Sequence, residues 1–145
     1  MMQYYQGIDL VERNKFRRIF RQHAGLLEEI FTTAEQRDCL TRKDSWKHFA
    51  GRFAAKEACL KALQLGLYGL GIDHVWGEIE ILAQGSGRWK LVTHDWIARL
   101  GRKKGISRGE ISISYTRNYA VAAALLVVDP ASQDIPRASQ KGRGP

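Results

Sequence analysis

Two carboxylates in this sequence stand where packing alone would not put them. Asp9 sits inside the apolar run GIDLV, although aspartate is a poor strand former. Glu57 lies in the run WKHFAGRFAAKEACLKA. Advancing about 100° per residue from Trp46, Phe49, Ala50, Phe53 and Leu60 fall on one apolar stripe. Glu57 falls near the middle of that stripe and Lys61 just beside it. A buried carboxylate must be paired or bind a metal, because burying it alone is expensive. One solution is a Glu57–Lys61 pair at i, i+4, with the helix end exposed. The other is a cleft in which Glu57 holds a cation. Single carboxylates from two elements suit Mg²⁺, which keeps several waters and adds one or two protein carboxylates and substrate phosphates. Lys56 and Lys61 would then face phosphate oxygens. The competing expectation for Asp9 is a structural salt bridge to a lysine or arginine.

Other chemistries lack their residues. His23, His48, His74 and His94 show no H-E-x-x-H or Cys/His spacing, which speaks against zinc. No P-loop occurs, and GISRG at 105–109, although it spells G-x-S-x-G, lies between a helix and a strand rather than on the strand-to-helix turn of a nucleophile elbow. The glycines at 66, 69 and 71 do not make G-x-G-x-x-G, and they follow a helix rather than a strand. Cys39 and Cys59 form no disulfide framework, so a reduced, cytoplasmic protein is expected.

The elements that must position Asp9 and Glu57 are readable from periodicity. QYYQGIDLV predicts a first strand at 3–11, with Gly7 as a bulge. Phe16, Ile19 and Phe20 predict an amphipathic helix over 13–22, and Thr32 with Glu35 a capping box for a short helix through about Arg42. The long helix runs from Ser45 to Leu65, closed by Gly66 and followed by a glycine-rich loop at 66–74. A strand over 75–83 turns at GSG, 85–87, into a second over 88–92. A helix over 94–104 places Trp96, Ile97 and Leu100 on one side, and strands at 110–116 and 119–128 form another hairpin. YAVAAALLVV is apolar on both faces, so it must be covered twice, by its own domain or by a neighbour. The fold class is α+β, a mainly antiparallel sheet packed against a long helix, as one domain over 1–128 with a mobile tail at 129–145.

With 145 residues, 44% hydrophobic and 26% charged, the chain can bury a real core and is not disordered. No run approaches the roughly 18 to 20 apolar residues of a membrane helix, and no secretory signal is expected from MMQYYQGIDLV. The net charge of +8 attracts polyanions: nucleic acid, an acidic membrane surface, phosphorylated small molecules or an acidic protein. Arg13, Lys15, Arg17, Arg18 and Arg21 crowd one helix, which otherwise reads as a solvated basic face. Phe16 and Phe20, the nearest aromatics, look core-facing rather than interleaved with these charges, which disfavours a nucleic-acid module.

Taken together, GID at 7–9, IFT with Glu35 at 30–35, GRFAAKEA at 51–58 with Lys61, and SISYT…YA at 112–120 resemble the holo-acyl-carrier-protein synthases. These belong to the 4′-phosphopantetheinyl transferase superfamily, and the likeness spans roughly residues 5 to 128. It implies that fold and an enzyme that moves the phosphopantetheine arm of coenzyme A onto a serine of an acidic acyl carrier protein. Adenosine 3′,5′-bisphosphate would be released, with Mg²⁺ as cofactor. Asp9 and Glu57 would be the metal ligands and, with Lys61, the catalytic set. Arg52, Lys56, Lys61, Ser114, Tyr115 and Thr116 would bind coenzyme A, and Lys15, Arg18 and Arg21 the carrier. The family's closing motif often reads Ser-His-Thr or Ser-His-Ser, and here Tyr115 takes the histidine position. A phenol donates one hydrogen bond but is not a cation near pH 7, so phosphate binding there is expected to be weaker or supplied by Arg117 or Lys61. The resemblance also implies a cytoplasmic homotrimer with active sites where subunits meet, serving fatty-acid biosynthesis or another carrier-dependent pathway such as polyketide assembly. Tyr115 is the one feature favouring a catalytically impaired, carrier-binding relative.

Overall fold

An alanine-rich helix laid across a three-stranded sheet organises the chain. The structure is a computed structural model and describes residues 2–65 and 75–133. Its first half comprises β1 (Gln3–Glu12), α1 (Arg13–Gln22), α2 (Leu26–Ile30), α3 (Thr33–Leu40) and α4 (Ser45–Ala62). Its second half comprises β2 (Ile79–Ala83), β3 (Trp89–Thr93), α5 (Asp95–Lys103), β4 (Ile106–Tyr115) and β5 (Tyr119–Val128). The main sheet has the order β1-β5-β4, antiparallel throughout, and β2-β3 is a separate antiparallel hairpin. This is the expected α+β arrangement, and no helix among the described residues is long and apolar enough to cross a membrane.

Small residues let the helix come close. Ala54, Ala55, Ala58 and Ala62 of α4 and Ala120, Ala122 and Ala124 of β5 are all buried. Gly7 is part of the same contact and not a bulge, since the β1–β5 register runs unbroken from Gln3↔Val128 to Glu12↔Tyr119. A Cβ at Gly7 would lie 2.0 Å from the Ala58 carbonyl oxygen, so only glycine fits under the helix. Below α1 the core is aromatic: the Phe16 ring is 4.1 Å from Phe20 and 5.4 Å from Phe53, and Phe31 lies 5.0 Å from Phe49. Such pairs contribute about 0.5–1.5 kcal/mol each beyond their buried area.

Several boundaries differ from expectation. α4 ends at Ala62, where Leu63 caps it and Gln64 takes a left-handed φ of 61°; Gly66 and the glycine-rich loop lie outside the described residues. Residues 75–78 are turns rather than strand, with Glu78 N donating to Val75 O and Ile79 N to Trp76 O. β4 begins at Ile106 because it pairs along the whole of β5, with an irregularity between Ile106 and Arg108. The five-residue α2 was not expected from the sequence. The capping box on α3 forms as expected, with Thr32 and Glu35 exchanging bonds. At the C-terminus, Pro130–Gln133 forms a 3-10 turn, and the rest of the tail lies outside the described residues.

Among the described residues, β5 is covered on one side only. Ala120, Ala122, Ala124, Leu126 and Val128 are buried, whereas Tyr119 and Leu125 remain 43% and 38% exposed. On the same open face, β1 exposes Tyr4, Ile8 and Leu10.

Candidate active site

Strand alternation turns Asp9 away from exposed Ile8 and Leu10 and towards the helix-covered side of the sheet. α4 crosses that side, close to β1 because Gly7 admits it, and brings Glu57 and Lys61 to the strand. Lys61 Nζ donates to Asp9 Oδ1 at 2.8 Å and to the Ile8 carbonyl at 3.1 Å. Both of the simpler expectations are thereby decided: Asp9 has its salt bridge, and Lys61 gives it to Asp9 instead of to Glu57. Glu57 is 8% exposed, and its Oε2 is buried without a hydrogen-bond partner. Burial, and then the charge of Asp9, push its carboxyl up to about 7, against the pull of Lys61. Asp9, Lys15, Phe16, Phe53, Glu57 and Lys61 line one cleft of about 550 Å³.

This donor set fits a hard divalent cation. Two carboxylates from two elements meet at a cleft, one of them with an unsatisfied buried oxygen. Glu12 also lines the cleft, but among the described residues no third acidic, histidine or cysteine side chain groups with them to hold a metal. The remaining positions would fall to water and to a ligand's oxygens, the usual arrangement for Mg²⁺.

Lys56 and Arg52 correct the expectation that they meet phosphate, because both side chains are fully buried. Lys56 Nζ lies 2.7 Å from Glu35 Oε2 and donates to the carbonyls of Ile30 at 2.6 Å and Trp76 at 2.9 Å. Its pKa is lowered by burial, an effect opposed by the Glu35 carboxylate. Arg52 bonds the Asp38 carboxylate and donates to Ile81 O at 3.0 Å, with its guanidinium 5.0 Å from the Trp89 ring. These cations brace the helix interior, since each already has fixed partners there.

Of the closing motif, Tyr119 lines the cleft, whereas Ser112, Ser114, Tyr115 and Thr116 do not. Ser112 and Ser114 are exposed on β4, which β5 separates from β1. The Thr116 hydroxyl accepts from Asn118 N at 3.3 Å and Tyr119 N at 3.0 Å, forming the turn into β5. Tyr115 faces the other way, into α4: a Cβ on Gly51 would lie 2.3 Å from its Oη. That Oη is buried without a partner, and burial raises the phenol's pKa further.

The basic face of α1 is as expected. Lys15, Arg18 and Arg21 are exposed, and Phe16 and Phe20 are buried beneath them at 4% and 7% exposure. The helix therefore offers charge without interleaved aromatics. Arg13 departs from this group. Its guanidinium donates to the Thr116 and Arg117 carbonyls and pairs with Asp44, the N-cap of α4, so it ties the β4–β5 turn to two helices. Glu35 was visible in the sequence as a cap, but not as the partner of Lys56 and of Ile81 N, 2.9 Å away. Only its position opposite a buried lysine reveals that role.

Comparisons with known proteins agree with this architecture. The family model described as the 4′-phosphopantetheinyl transferase superfamily matches residues 6–124. A holo-[acyl-carrier-protein] synthase of Moorella thermoacetica is 38% identical over 120 residues, covering 83% of this chain and 91% of the relative. One from Syntrophotalea carbinolica is 39% identical over 128 residues, with 86% and 97% covered. Among solved structures, an apo-ACPS from Chronobacterium ammoniagenes superposes with a TM-score of 0.78 at 32% identity, covering 89% of this chain and 99% of that one. The coenzyme A complex of the ACPS from the same organism gives 0.74 at 33% identity, covering 88% and 98%. With that likeness running from β1 through most of β5, the chain belongs to the 4′-phosphopantetheinyl transferase superfamily and, within it, to the holo-[acyl-carrier-protein] synthases.

Proposed function

We propose that this chain transfers the 4′-phosphopantetheine arm of coenzyme A to a serine of an acidic apo acyl carrier protein. The reaction depends on Mg²⁺ and leaves adenosine 3′,5′-bisphosphate. The observation that carries this is the unpartnered buried oxygen of Glu57, beside Asp9 and Lys61 in one cleft. Coenzyme A as donor is supported by the coenzyme A complex of the Chronobacterium ammoniagenes relative.

Asp9 and Glu57 are the residues that would hold Mg²⁺. The chemistry supplied by the bound ion is neutralisation of charge on the diphosphate. Lys61, half exposed at the cleft rim, adds an ammonium for a phosphate oxygen and balances charge on the departing bisphosphate. Phe16, Leu26 and Phe53 give the cleft an apolar wall that keeps water from the reacting bond. The attacking hydroxyl belongs to the carrier, so the chain needs no nucleophile of its own. Exposed Lys15, Arg18 and Arg21 orient that acidic partner, and Lys15 stands at the cleft itself. A homotrimer covers the open apolar face of the main sheet. It also lets the Ser114–Thr116 strand of one subunit complete the cleft of another. The enzyme works in the cytoplasm and serves fatty-acid biosynthesis or a related assembly pathway.

Intact-mass spectrometry of an apo acyl carrier protein incubated with coenzyme A, Mg²⁺ and this chain tests the reaction. The carrier should gain the mass of one phosphopantetheine arm. Glu57→Gln should slow that gain by about 100-fold or more. An unchanged carrier mass with the wild type overturns the activity, and full rate in Glu57→Gln overturns the metal assignment.

A further inference from the structure

Charge around the cleft is unevenly matched. The Asp9, Glu12 and Glu57 carboxylates line it against the ammoniums of Lys15 and Lys61, and among the described residues the one ammonium bonded to Asp9 or Glu57 is that of Lys61. Helical spacing places Lys61 one turn beyond Glu57, so α4 on its own would pair the two. The tertiary structure instead lends Lys61 to β1, where it holds both the Asp9 carboxylate and the Ile8 carbonyl, and Glu57 Oε2 is left buried without a partner. Lys61 is also the loosest member of the group. Its side chain is 48% exposed against 16% for Asp9, and an exposed lysine on a flexible stem leaves its partner at little cost. It borders a second concavity as well, the one over the sheet's open face near Ile8 and Ser112, so its head has solvent to turn into on either side of the β1 edge.

We propose that Lys61 is a stand-in cation. It neutralises Asp9 in the resting protein, competes with the divalent ion for that carboxylate, and is released towards the diphosphate when the ion engages Asp9 and Glu57. This rests on the Mg²⁺ reading given above. The consequence is a coupling between ligands. The ion must displace Lys61 from Asp9, which weakens its binding while no phosphate is present. A diphosphate that takes up the freed ammonium removes that penalty, so ion and coenzyme A strengthen one another's binding through one side chain. A lysine acting solely as a phosphate anchor would leave metal affinity in the absence of coenzyme A untouched. A lysine that merely braced Asp9 would weaken metal binding when removed. A stand-in predicts the opposite sign.

The test is an Mn²⁺ titration of the full chain, read by electron paramagnetic resonance of the free ion, with and without coenzyme A. Without coenzyme A, Lys61→Met should bind Mn²⁺ about three- to tenfold more tightly than the wild type, and Lys61→Arg, which keeps the cation, within about twofold of it. The extra tightening that coenzyme A gives the wild type should shrink in Lys61→Met. Tightening in Lys61→Met, including binding where the wild type shows none, supports the inference. Equal or weaker binding in Lys61→Met, with wild-type binding lost in Asp9→Asn, overturns the stand-in role and leaves the Mg²⁺ reading in place. Mn²⁺ binding that survives unchanged in Asp9→Asn, or binding to neither wild type nor Lys61→Met, overturns both. Melting curves by circular dichroism show that each variant is folded; the exposure of Lys61 makes it a tolerant position.

Discussion

Glu57 carries a carboxyl into a helix whose other side chains at that level are packed, and its proton affinity reflects this. The ordinary carboxyl value of 4.5 rises to about 7, first through burial and then through Asp9. Between those two values the folded chain binds a proton more readily than the unfolded one. The stability gained this way is therefore complete below pH 4.5 and is lost as pH rises through 7. In metal-free protein, urea titrations at pH 5 and pH 8 should show a decline of about 1–2 kcal/mol attributable to Glu57. That is less than the whole shift because water reaches the cleft rim. Glu57→Gln should remove most of the decline, and an identical decline in the variant would show that another group causes it. The sequence marked Glu57 as out of place on its stripe. It did not show that Lys61 would turn to Asp9, because wheel geometry contains only one helix.

At the scale of elements, α4 is held by what it approaches and by what it buries. Gly7→Ala sets a methyl group against the Ala58 backbone, which cannot move aside as a side chain can. Loss of about 3 kcal/mol or more in chemical denaturation is expected, with α4 displaced from Asp9 and activity reduced in parallel. Wild-type stability in that variant would mean the strand and helix stand further apart than described. Inside the helix, Lys56→Met leaves Glu35 buried without its cation, and the two carbonyls of Ile30 and Trp76 without their donor. A cost of about 3–5 kcal/mol is expected. Pairing it with Glu35→Gln should recover part of that loss, which a double-mutant cycle measures. GRFAAKEA was legible as a motif, but the directions of Arg52 and Lys56 were not. Both are cations on a helix that periodicity treats as having one wet face, and in the folded chain nearly the whole circumference is enclosed.

For the whole molecule, the open side of the main sheet is the dominant unsettled surface. Ile8 and Leu10 are 64% and 61% exposed, next to Ala123 and Leu125 of β5. Contiguous exposed aliphatics of this kind mark an interface. Ile8→Glu combined with Leu125→Glu should turn a trimer into monomers in analytical ultracentrifugation while the circular dichroism spectrum stays native. On the trimeric reading proposed above, activity should fall with the trimer, since Ser114 and Thr116 would then have no neighbouring cleft to complete. A monomeric wild type, or a monomeric variant with full activity, would remove the subunit-shared site.

What the sequence determined by itself was local or periodic. The two-residue and 3.6-residue alternations located most strands and helices, though not α2, the Thr32–Glu35 box located a helix start, and the two misplaced carboxylates marked the residues that line the cleft. These follow from properties of neighbouring residues, which a linear string contains in full. The tertiary structure decided the partners: Lys61 with Asp9 across 52 positions, Lys56 with Glu35, Arg13 with the β4–β5 turn, and Gly7 as clearance for a helix rather than a bulge. Those choices depend on distances between segments far apart in the chain, and on which polar atoms remain unsatisfied once packing has excluded water. Neither quantity exists until the chain has folded.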